Sequence, residues 1–313
     1  MIRSKVLKSI LVDSFGNDYA PLENIKGAVL AKKILNCEIS LVGISSLIKK
    51  VSEENEIDIT GIKIFDCESQ ILNSDNPMEI TKSKKDSSMS VGLFALSQGK
   101  VDAFVSAGNS GALLVGSSLI LKRAPGVRRI AFAPFVPKKN GSFLFLDGGA
   151  NAQCTPEILA QFAVMGSDYI KNAMDIKNPK VGLLNIGVES SKGDEIRKEA
   201  FKLIESSNLN FGGNIEPSCV FDSDFDVVVS DGFTGNIFIK TFEGLQDFIL
   251  SKVEGIFDTN SNRSYLDFKK STLPSEHGGT PLLGSSKLVI KAHGNSKADA
   301  IKNAIKLAYN SLK

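Results

Sequence analysis

The stretch Asp226-Val-Val-Val-Ser-Asp-Gly-Phe-Thr-Gly-Asn-Ile-Phe-Ile-Lys-Thr-Phe-Glu-Gly244 changes its periodicity partway along. Val227 to Val229 is a β-branched run of the kind that forms a strand covered on both faces. Asp231-Gly232 and Thr234-Gly235 break the run. Phe238, Phe242, Leu245, Ile249, Val253 and Ile256 then recur at helical spacing on one face. A strand, a tight glycine turn and a helix whose first amides are free suit an anion, because unpaired N–H groups and the positive end of the helix dipole converge there. Asp231, Thr234 and Asn236 bring polar side chains to the same place. The plainer alternative is an ordinary strand-to-helix turn with a capping Thr or Asn.

The same construction recurs along the chain. Ile10–Asp13 runs into Ser14-Phe-Gly-Asn-Asp-Tyr-Ala-Pro21, and Asp102–Ser106 into Ala107-Gly-Asn-Ser-Gly-Ala-Leu113. Ser142–Leu146 ends in Asp147-Gly-Gly-Ala-Asn151, and Val181–Gly187 opens into Val188-Glu-Ser-Ser-Lys-Gly193. Further strands are expected at 39–42, 62–65, 130–136 and 288–290, with Pro137–Gly141 a hairpin loop. A helix starts at Pro156, and a last one carries Ile301, Ala304, Ile305, Ala308 and Leu312, capped by His293-Gly-Asn-Ser296. The expected architecture is an α/β sheet layered by helices, with polar glycine turns at the carboxyl ends of strands, where such sheets bind ligands. The 313 residues suffice for one catalytic unit over 1–313 or for two lobes. The less regular segment from Asp258 to His277 extends the preceding helix into an exposed arm near 245–275.

Composition narrows the function. Hydrophobic residues make up 42% and charged residues 23%, a globular balance. Lys+Arg 37 against Asp+Glu 35 leaves a net charge of +2, which gives no electrostatic reason to propose nucleic acid as a partner. Cys37, Cys67, Cys154 and Cys219 are scattered, with no CxxC pair and no Cys/His cluster, so no metal is expected and a reduced, cytosolic setting is the simplest inference. The apolar residues from Val6 to Val12 are interrupted by Lys8 and read as a first strand, not a signal peptide. No apolar run is long enough to span a bilayer.

Several residues carry two readings. Lys84-Lys-Asp-Ser-Ser88 is a solvated loop or a functional one, with serines able to cap the next helix. Ser110 lacks the spacing of a nucleophile elbow, and its turn is not GxGxxG; Ser106, Asn109 and Ser110 are better suited to hydrogen-bonding a ligand oxygen. Lys192, beside a glycine, is a phosphate ligand or a surface lysine. Of His277 and His293, the latter stands at a strand end and is the better catalytic candidate; a structural role is as open to it.

Together the turns resemble a known family. Asp13-Ser-Phe-Gly-Asn-Asp-Tyr-Ala-Pro21, Lys84-Lys-Asp-Ser-Ser-Met89, Val105-Ser-Ala-Gly-Asn-Ser-Gly-Ala-Leu113 and Leu146-Asp-Gly-Gly-Ala-Asn151 look like its motifs. So do Gly182-Leu-Leu-Asn-Ile-Gly187, Lys192-Gly193, Asp231-Gly-Phe-Thr-Gly-Asn236, Pro281-Leu-Leu-Gly284 and His293-Gly294. The family is bacterial phosphate acyltransferase, of phospholipid synthesis. The resemblance implies transfer of a fatty acyl group from acyl carrier protein to inorganic phosphate, giving acyl phosphate, with no cofactor. It implies a layered helix-sheet-helix fold like that of isopropylmalate dehydrogenases and phosphotransacetylases. It also implies a cytoplasmic homodimer attached peripherally to the inner face of the membrane, feeding a glycerol-3-phosphate acyltransferase. By resemblance, Lys192 holds phosphate and Asn236 faces the thioester carbonyl as it becomes an oxyanion. The substrate-binding set carried over is Asp13, Asp18, Ser106, Gly108, Asn109, Ser110, Gly111, Asp147, Asn151, Asp231, Thr234, Gly235 and His293. Asn17, Lys82, Thr280 and Lys287, and Arg129-Ile130, depart from the family pattern; Lys82, where arginine is usual, keeps the charge and loses the fork.

The implied chemistry suits these residues. Phosphate is itself the nucleophile and the thiolate leaves readily, so the protein needs only to hold a dianion and stabilise an oxyanion. A nicotinamide-dependent dehydrogenase on the same fold, and a non-catalytic scaffold docking acyl carrier protein and membrane, are the alternatives from other classes.

Overall fold

Buried β-branched and apolar runs gather into two parallel-rich sheets in the computed structural model, which describes residues 7–254 and 278–312. These residues divide into two compact units. One is built from those up to Ile130 together with those from 278 on, the other from Ala131 to Glu254.

The first unit contains β1 (Ser9–Asp13), β2 (Glu38–Gly43), β3 (Lys63–Asp66), β4 (Ala103–Ser106), β11 (Thr280–Leu283) and β12 (Leu288–Lys291). They lie in the order β3-β2-β1-β4-β12-β11, parallel except that β11 runs antiparallel to β12. Val12 pairs with Val105 and Lys291 with Ser106, so the strand ends carrying Asp13, Ser106 and Lys291 are neighbours. Ile10, Val12, Leu41, Val105 and Ile290 pack on α1 (Leu22–Ile34) and α8 (Ala298–Ser311) through Ile25, Ala28, Ile301, Ala304 and Ile305. Each fully buried Val, Leu or Ile side chain among them is worth about 1.5–3 kcal/mol. The remaining helices are α2 (Ser45–Glu54), α3 (Ser88–Ser97) and α4 (Ser110–Gly116). Ser87 caps α3, as the serines of the 84–88 stretch allowed. The 293–296 stretch does not cap α8: its N-cap, Lys297, makes no side-chain bond, and Glu23 Oε2, in the first turn of α1, accepts the Ala298 N–H at 2.8 Å.

The second unit holds β5 (Ala131–Phe132), β6 (Phe135–Pro137), β7 (Ser142–Leu146), β8 (Lys180–Leu184), β9 (Asn210–Ile215) and β10 (Val227–Val229). The expected strand 130–136 is split in two, with Pro134, which has no N–H to give a ladder, in the gap. The sheet runs β6-β7-β10-β8-β9, with β6 and β7 an antiparallel hairpin and the others parallel. Its helices are α5 (Pro156–Met174), α6 (Glu195–Glu205) and α7 (Gly232–Glu254).

The buried face of α7 is rotated from the one expected. Phe238, Ile239 and Phe242 pack on the core, and Gln246 and Leu250 are buried. Leu245 and Ile249 are instead 54% and 42% exposed. Ile256 and the rest of the expected arm lie outside the described residues. Among the described residues no helix is long and apolar enough to cross a membrane.

Candidate active site

In the second unit β7, β10 and β8 are adjacent and parallel, with Leu146 opposite Val229 and Val229 opposite Leu183. The turns that leave their carboxyl ends, 147–151, 230–236 and 185–193, therefore start side by side. Each is shaped by a buried polar side chain.

Asp147 is fully buried. Its Oδ1 accepts the N–H groups of Phe132, Gly149 and Ala150 at 3.0, 3.1 and 3.0 Å. Its Oδ2 accepts the Asn151 N–H at 2.7 Å and the Asn151 carboxamide at 2.8 Å. Burial pushes this carboxyl above the usual carboxylate range, while those hydrogen bonds hold it down. The shaped turn then receives α7. Gly232 donates its N–H to the Asn151 carbonyl at 2.7 Å. Gly235 sits so tightly that an added Cβ would lie 1.9 Å from the Asp147 carbonyl oxygen. Gly149, at φ +129, faces Asn236, whose Oδ1 would lie 3.2 Å from a Cβ built there. Asn236 is exposed, and its carboxamide makes no hydrogen bond among the described residues.

The start of α7 differs from the free N-terminus expected. Asp231 is the cap, rather than Thr or Asn: its Oδ1 accepts the Thr234 N–H at 2.9 Å and its carbonyl accepts the Gly235 N–H at 2.9 Å. The Thr234 hydroxyl donates to Asp231 Oδ2 at 3.0 Å. With Gly232 bonded to Asn151, much of the first turn is already satisfied, and a carboxylate occupies the favourable end of the dipole.

The third turn carries Lys192. Buried Asn185 donates to the Lys192 carbonyl at 3.1 Å and accepts the Ile186 N–H at 2.8 Å. Asn214 donates to the Glu189 carbonyl at 2.8 Å, and the Lys192 N–H donates to the same oxygen at 3.1 Å. Gly193, at φ +91, lets the chain fold back over Asn185; a Cβ there would lie 2.6 Å from its Oδ1. The turn thus presents Lys192 to solvent, its ammonium without a carboxylate partner among the described residues.

Arg197, unremarked in the sequence, joins two of these turns. It lies in the first turn of α6, whose cap Asp194 accepts the Arg197 N–H at 2.9 Å and Nη1–H at 2.6 Å. Its Nη2 donates to Asp231 Oδ2 and to the Thr234 hydroxyl, the latter at 3.2 Å. Asp194 three residues before Arg197 signals a cap, but no local pattern reports a bond to a residue so far along the chain. Asn185 and Asn214 were likewise missed as supports of the Lys192 turn.

The other candidates lie in the first unit. Asp13 is buried, accepting the Ser106 hydroxyl at 2.7 Å and the Phe15 N–H at 3.1 Å. Burial raises its pKa to about 6, opposed by the hydroxyls of Ser106 and Ser88, the Phe15 amide and the charge of Lys291. Ser106 Oγ also accepts the Gly108 N–H at 3.1 Å. Gly16, at φ +93, meets Gly108 so closely that a Cβ would be 2.4 Å from its Cα. Asn109 caps α4 through Ala112 and donates its amide to the carbonyls of Leu72, Asn73 and Asp75. The backbone N–H groups of Ser110 and Gly111 find no protein acceptor among the described residues. Asp18 is exposed, its N–H bonded to the Gly294 carbonyl at 2.9 Å beside half-buried His293. Asn17, one of the departures from the family pattern, donates to Asn24 at 2.6 Å and to the Ser296 carbonyl at 3.0 Å. Lys84 pairs with Asp75 and so holds its own loop. Burial pushes the Cys67 thiol up to about 12, far from a thiolate nucleophile.

Lys192, Asn236, Asp147, Asn151, Asp231, Thr234 and Gly235 thus share the second unit. Asp13, Asp18, Ser106, Gly108 to Gly111 and His293 share the first.

Known proteins resemble this chain in sequence and in fold. A family profile described as "Fatty acid synthesis protein" matches residues 8–313. A protein named phosphate acyltransferase from Thermoanaerobacterium thermosaccharolyticum is 43% identical over 311 residues, covering 96% of this chain and 91% of its own. One of the same name from Fusobacterium nucleatum is also 43% identical, covering 96% and 94%. Among solved structures, a phosphotransacetylase from Streptococcus pyogenes superposes with a TM-score of 0.66 at 20% identity, covering 97% of this chain and 94% of that one. A 4-hydroxythreonine-4-phosphate dehydrogenase from Klebsiella pneumoniae gives 0.58 at 13%, covering 98% and 100%. At those identities the likeness is one of fold, and it is the layered α/β fold expected. By near full-length identity to its relatives, the chain belongs to the phosphate acyltransferase family.

Proposed function

We propose that the protein transfers a fatty acyl group from acyl carrier protein to inorganic phosphate, giving acyl phosphate and free carrier protein. The observation that carries this reading is that one unit presents both the Lys192 ammonium and the Asn236 carboxamide, neither with a side-chain partner among the described residues. Both are presented by turns whose supporting side chains are buried and bonded. A phosphate oxygen attacks the thioester carbon, the C–O bond forms, and the carbonyl electrons move onto oxygen. Lys192 holds the dianion by charge-assisted hydrogen bonds, and the Asn236 N–H groups meet the oxyanion. Collapse breaks the C–S bond and the thiolate leaves without needing an acid. The protein supplies position and electrostatics; its own side chains need not become nucleophiles.

The proposal extends to setting. The enzyme works in the cytoplasm as a homodimer, resting peripherally on the inner face of the membrane, where a glycerol-3-phosphate acyltransferase consumes its product. Exposed Leu245, Phe248 and Ile249 towards the end of α7 support an apolar contact there.

The test is steady-state acyl-phosphate formation with phosphate and acyl carrier protein thioester varied separately. Lys192→Ala weakens phosphate saturation by about 1.5–3 kcal/mol, the worth of a charged hydrogen bond. Asn236→Ala lowers turnover by roughly 10²–10³-fold with little change in apparent affinity, since its partner charge exists only along the reaction path. A folded Asn236→Ala protein with near-normal turnover would remove Asn236 from the mechanism.

A further inference from the structure

The proposed mechanism leaves a charge problem at the start of α7. A helix N-terminus carries roughly half a positive charge, and the Asp231 carboxylate that caps it carries a full negative one. The balance there is negative, beside the turn that offers Lys192 to a dianion. Asp194, capping α6 next to Lys192-Gly193, adds a second carboxylate. Glu189, in the Lys192 turn itself, adds a third, so the helix starts and Lys192 leave about one negative charge uncancelled. One more cation within the same network decides whether the region repels phosphate or is neutral to it.

Arg197 is that cation. Its side chain is 18% exposed, and its fork is divided between Asp194 at the cap of its own helix and Asp231 with Thr234 at the start of α7. We infer that Arg197 is a positioning residue for the reaction: its guanidinium straps the Lys192 turn to the start of α7 and cancels the Asp231 charge. The two proposed reacting groups thereby keep a fixed separation, and phosphate meets Lys192 without repulsion from the cap. Arginine suits both tasks, because a planar fork bonds two acceptors in set directions and a lysine does not. The inference rests on the proposed roles of Lys192 and Asn236 and assigns Arg197 no contact with substrate.

The experiment uses the full-length protein with inorganic phosphate and acyl carrier protein thioester. Wild type is compared with Arg197→Gln, Arg197→Lys and the double variant Arg197→Gln with Asp231→Asn. Arg197→Gln is expected to raise the phosphate KM and lower kcat, each about tenfold or more, because both charge balance and turn geometry are lost. Asp231→Asn keeps a capping side chain and removes the uncompensated charge, so the double variant recovers phosphate KM while kcat stays low. Arg197→Lys falls between wild type and Arg197→Gln.

A purely structural arginine would give losses that follow the melting temperature and that Asp231→Asn does not relieve; that result overturns the inference. So do wild-type kinetics in Arg197→Gln. If Arg197→Gln does not fold, Arg197→Lys decides alone, wild-type KM and kcat counting against. A second readout needs no turnover: phosphate protects Lys192 from an amine-acylating reagent in the wild type, and Arg197→Gln abolishes the protection. Absence of acyl phosphate from the wild type strikes the proposed reaction, and the protection measurement then still judges Arg197.

Discussion

The same substitution at two points of one helix, Gly235→Ala and Gly244→Ala in α7, has opposite predicted outcomes. Alanine in place of an interior helical glycine gains about 0.5–1 kcal/mol, by restricting the unfolded chain and shielding the backbone. Gly244 is exposed, with nothing among the described residues within 4 Å of its added Cβ, so Gly244→Ala shows that gain undiminished. Gly235 has the Asp147 carbonyl oxygen 1.9 Å from the added Cβ and a Phe145 ring carbon at 2.8 Å. Backbone on both sides must part by about 1 Å, and overpacking of that kind costs roughly 1–3 kcal/mol. The movement also strains the Gly232 bond to Asn151 and the Gly235 bond to Asp231, worth about 0.5–1.5 kcal/mol each. The clash outweighs the propensity gain, and Gly235→Ala is expected to lose about 2 kcal/mol or more in net stability.

Function should separate the two further. Asn236 follows Gly235 directly, so a displaced helix start carries the proposed oxyanion donor with it. A misplacement of about 1 Å is enough to cost on the order of 10²-fold in rate. The measurements are denaturant midpoints by circular dichroism and acyl-phosphate formation, with wild type beside both variants. Gly244→Ala should unfold at higher denaturant with unchanged turnover, and Gly235→Ala should lose both. A Gly235→Ala protein as stable as wild type would refute the reasoning, as would equal damage from Gly244→Ala.

Two further outcomes are expected. The Asp13 carboxyl, raised by burial from 3.8 to about 6, takes up a proton on folding between those values, so its ionisation opposes folding above about pH 6 and that opposition fades as pH falls toward 4. Asp13→Asn removes the term, and its stability relative to wild type should improve by about 1–3 kcal/mol between pH 4.5 and 7.5; a difference flat with pH refutes this. At the other end of α7, Phe248→Ser with Ile249→Ser should reduce co-flotation with anionic liposomes while the protein still sediments as the proposed dimer. Loss of the dimer would instead assign that exposed face to the contact between subunits.

Most strands were legible because parallel strands covered on both faces are apolar throughout, as Val227–Val229 and Leu144–Leu146 are; β9, half exposed and carrying Gly212 and Gly213, and the short β11 have no such run and were not expected. The turns were legible because glycine and aspartate mark them. The face of α7 was not. Ile237, Phe238, Ile239, Phe242, Leu245, Phe248, Ile249 and Leu250 surround the helix, so spacing alone selects no single stripe, and the stacked rings of Phe145, Phe221, Phe238 and Phe242 make the choice. The cap of α7 is hard to read for a similar reason: Asp231, Thr234 and Asn236 all stand near the helix start, and the Asp231 carboxylate that caps it is also held by Arg197, which arrives from another helix. Long-range bonds such as those from Asn109 to the 72–75 loop, or from Glu23 to α8, leave no local trace at all.

The buried aspartates show why family motifs and ligand contacts need not coincide. A carboxylate removed from water is costly unless donors surround it, and the cheapest donors are the amides of its own turn. Asp147 collects Gly149, Ala150 and Asn151, which bends the chain beneath Asn236. Asp13 collects Phe15 directly and Gly108 through Ser106, which draws the 14–16 and 106–108 turns together until Gly16 and Gly108 touch. In each unit the aspartate stands at the end of a strand, where the chain must leave the sheet sharply and its amides lose their ladder partners. Asparagine there would offer a single acceptor oxygen to donors that now share two, and would turn an N–H group against the others. The hydrogen bonds of Asp13 and Asp147 are thus accounted for by building their turns.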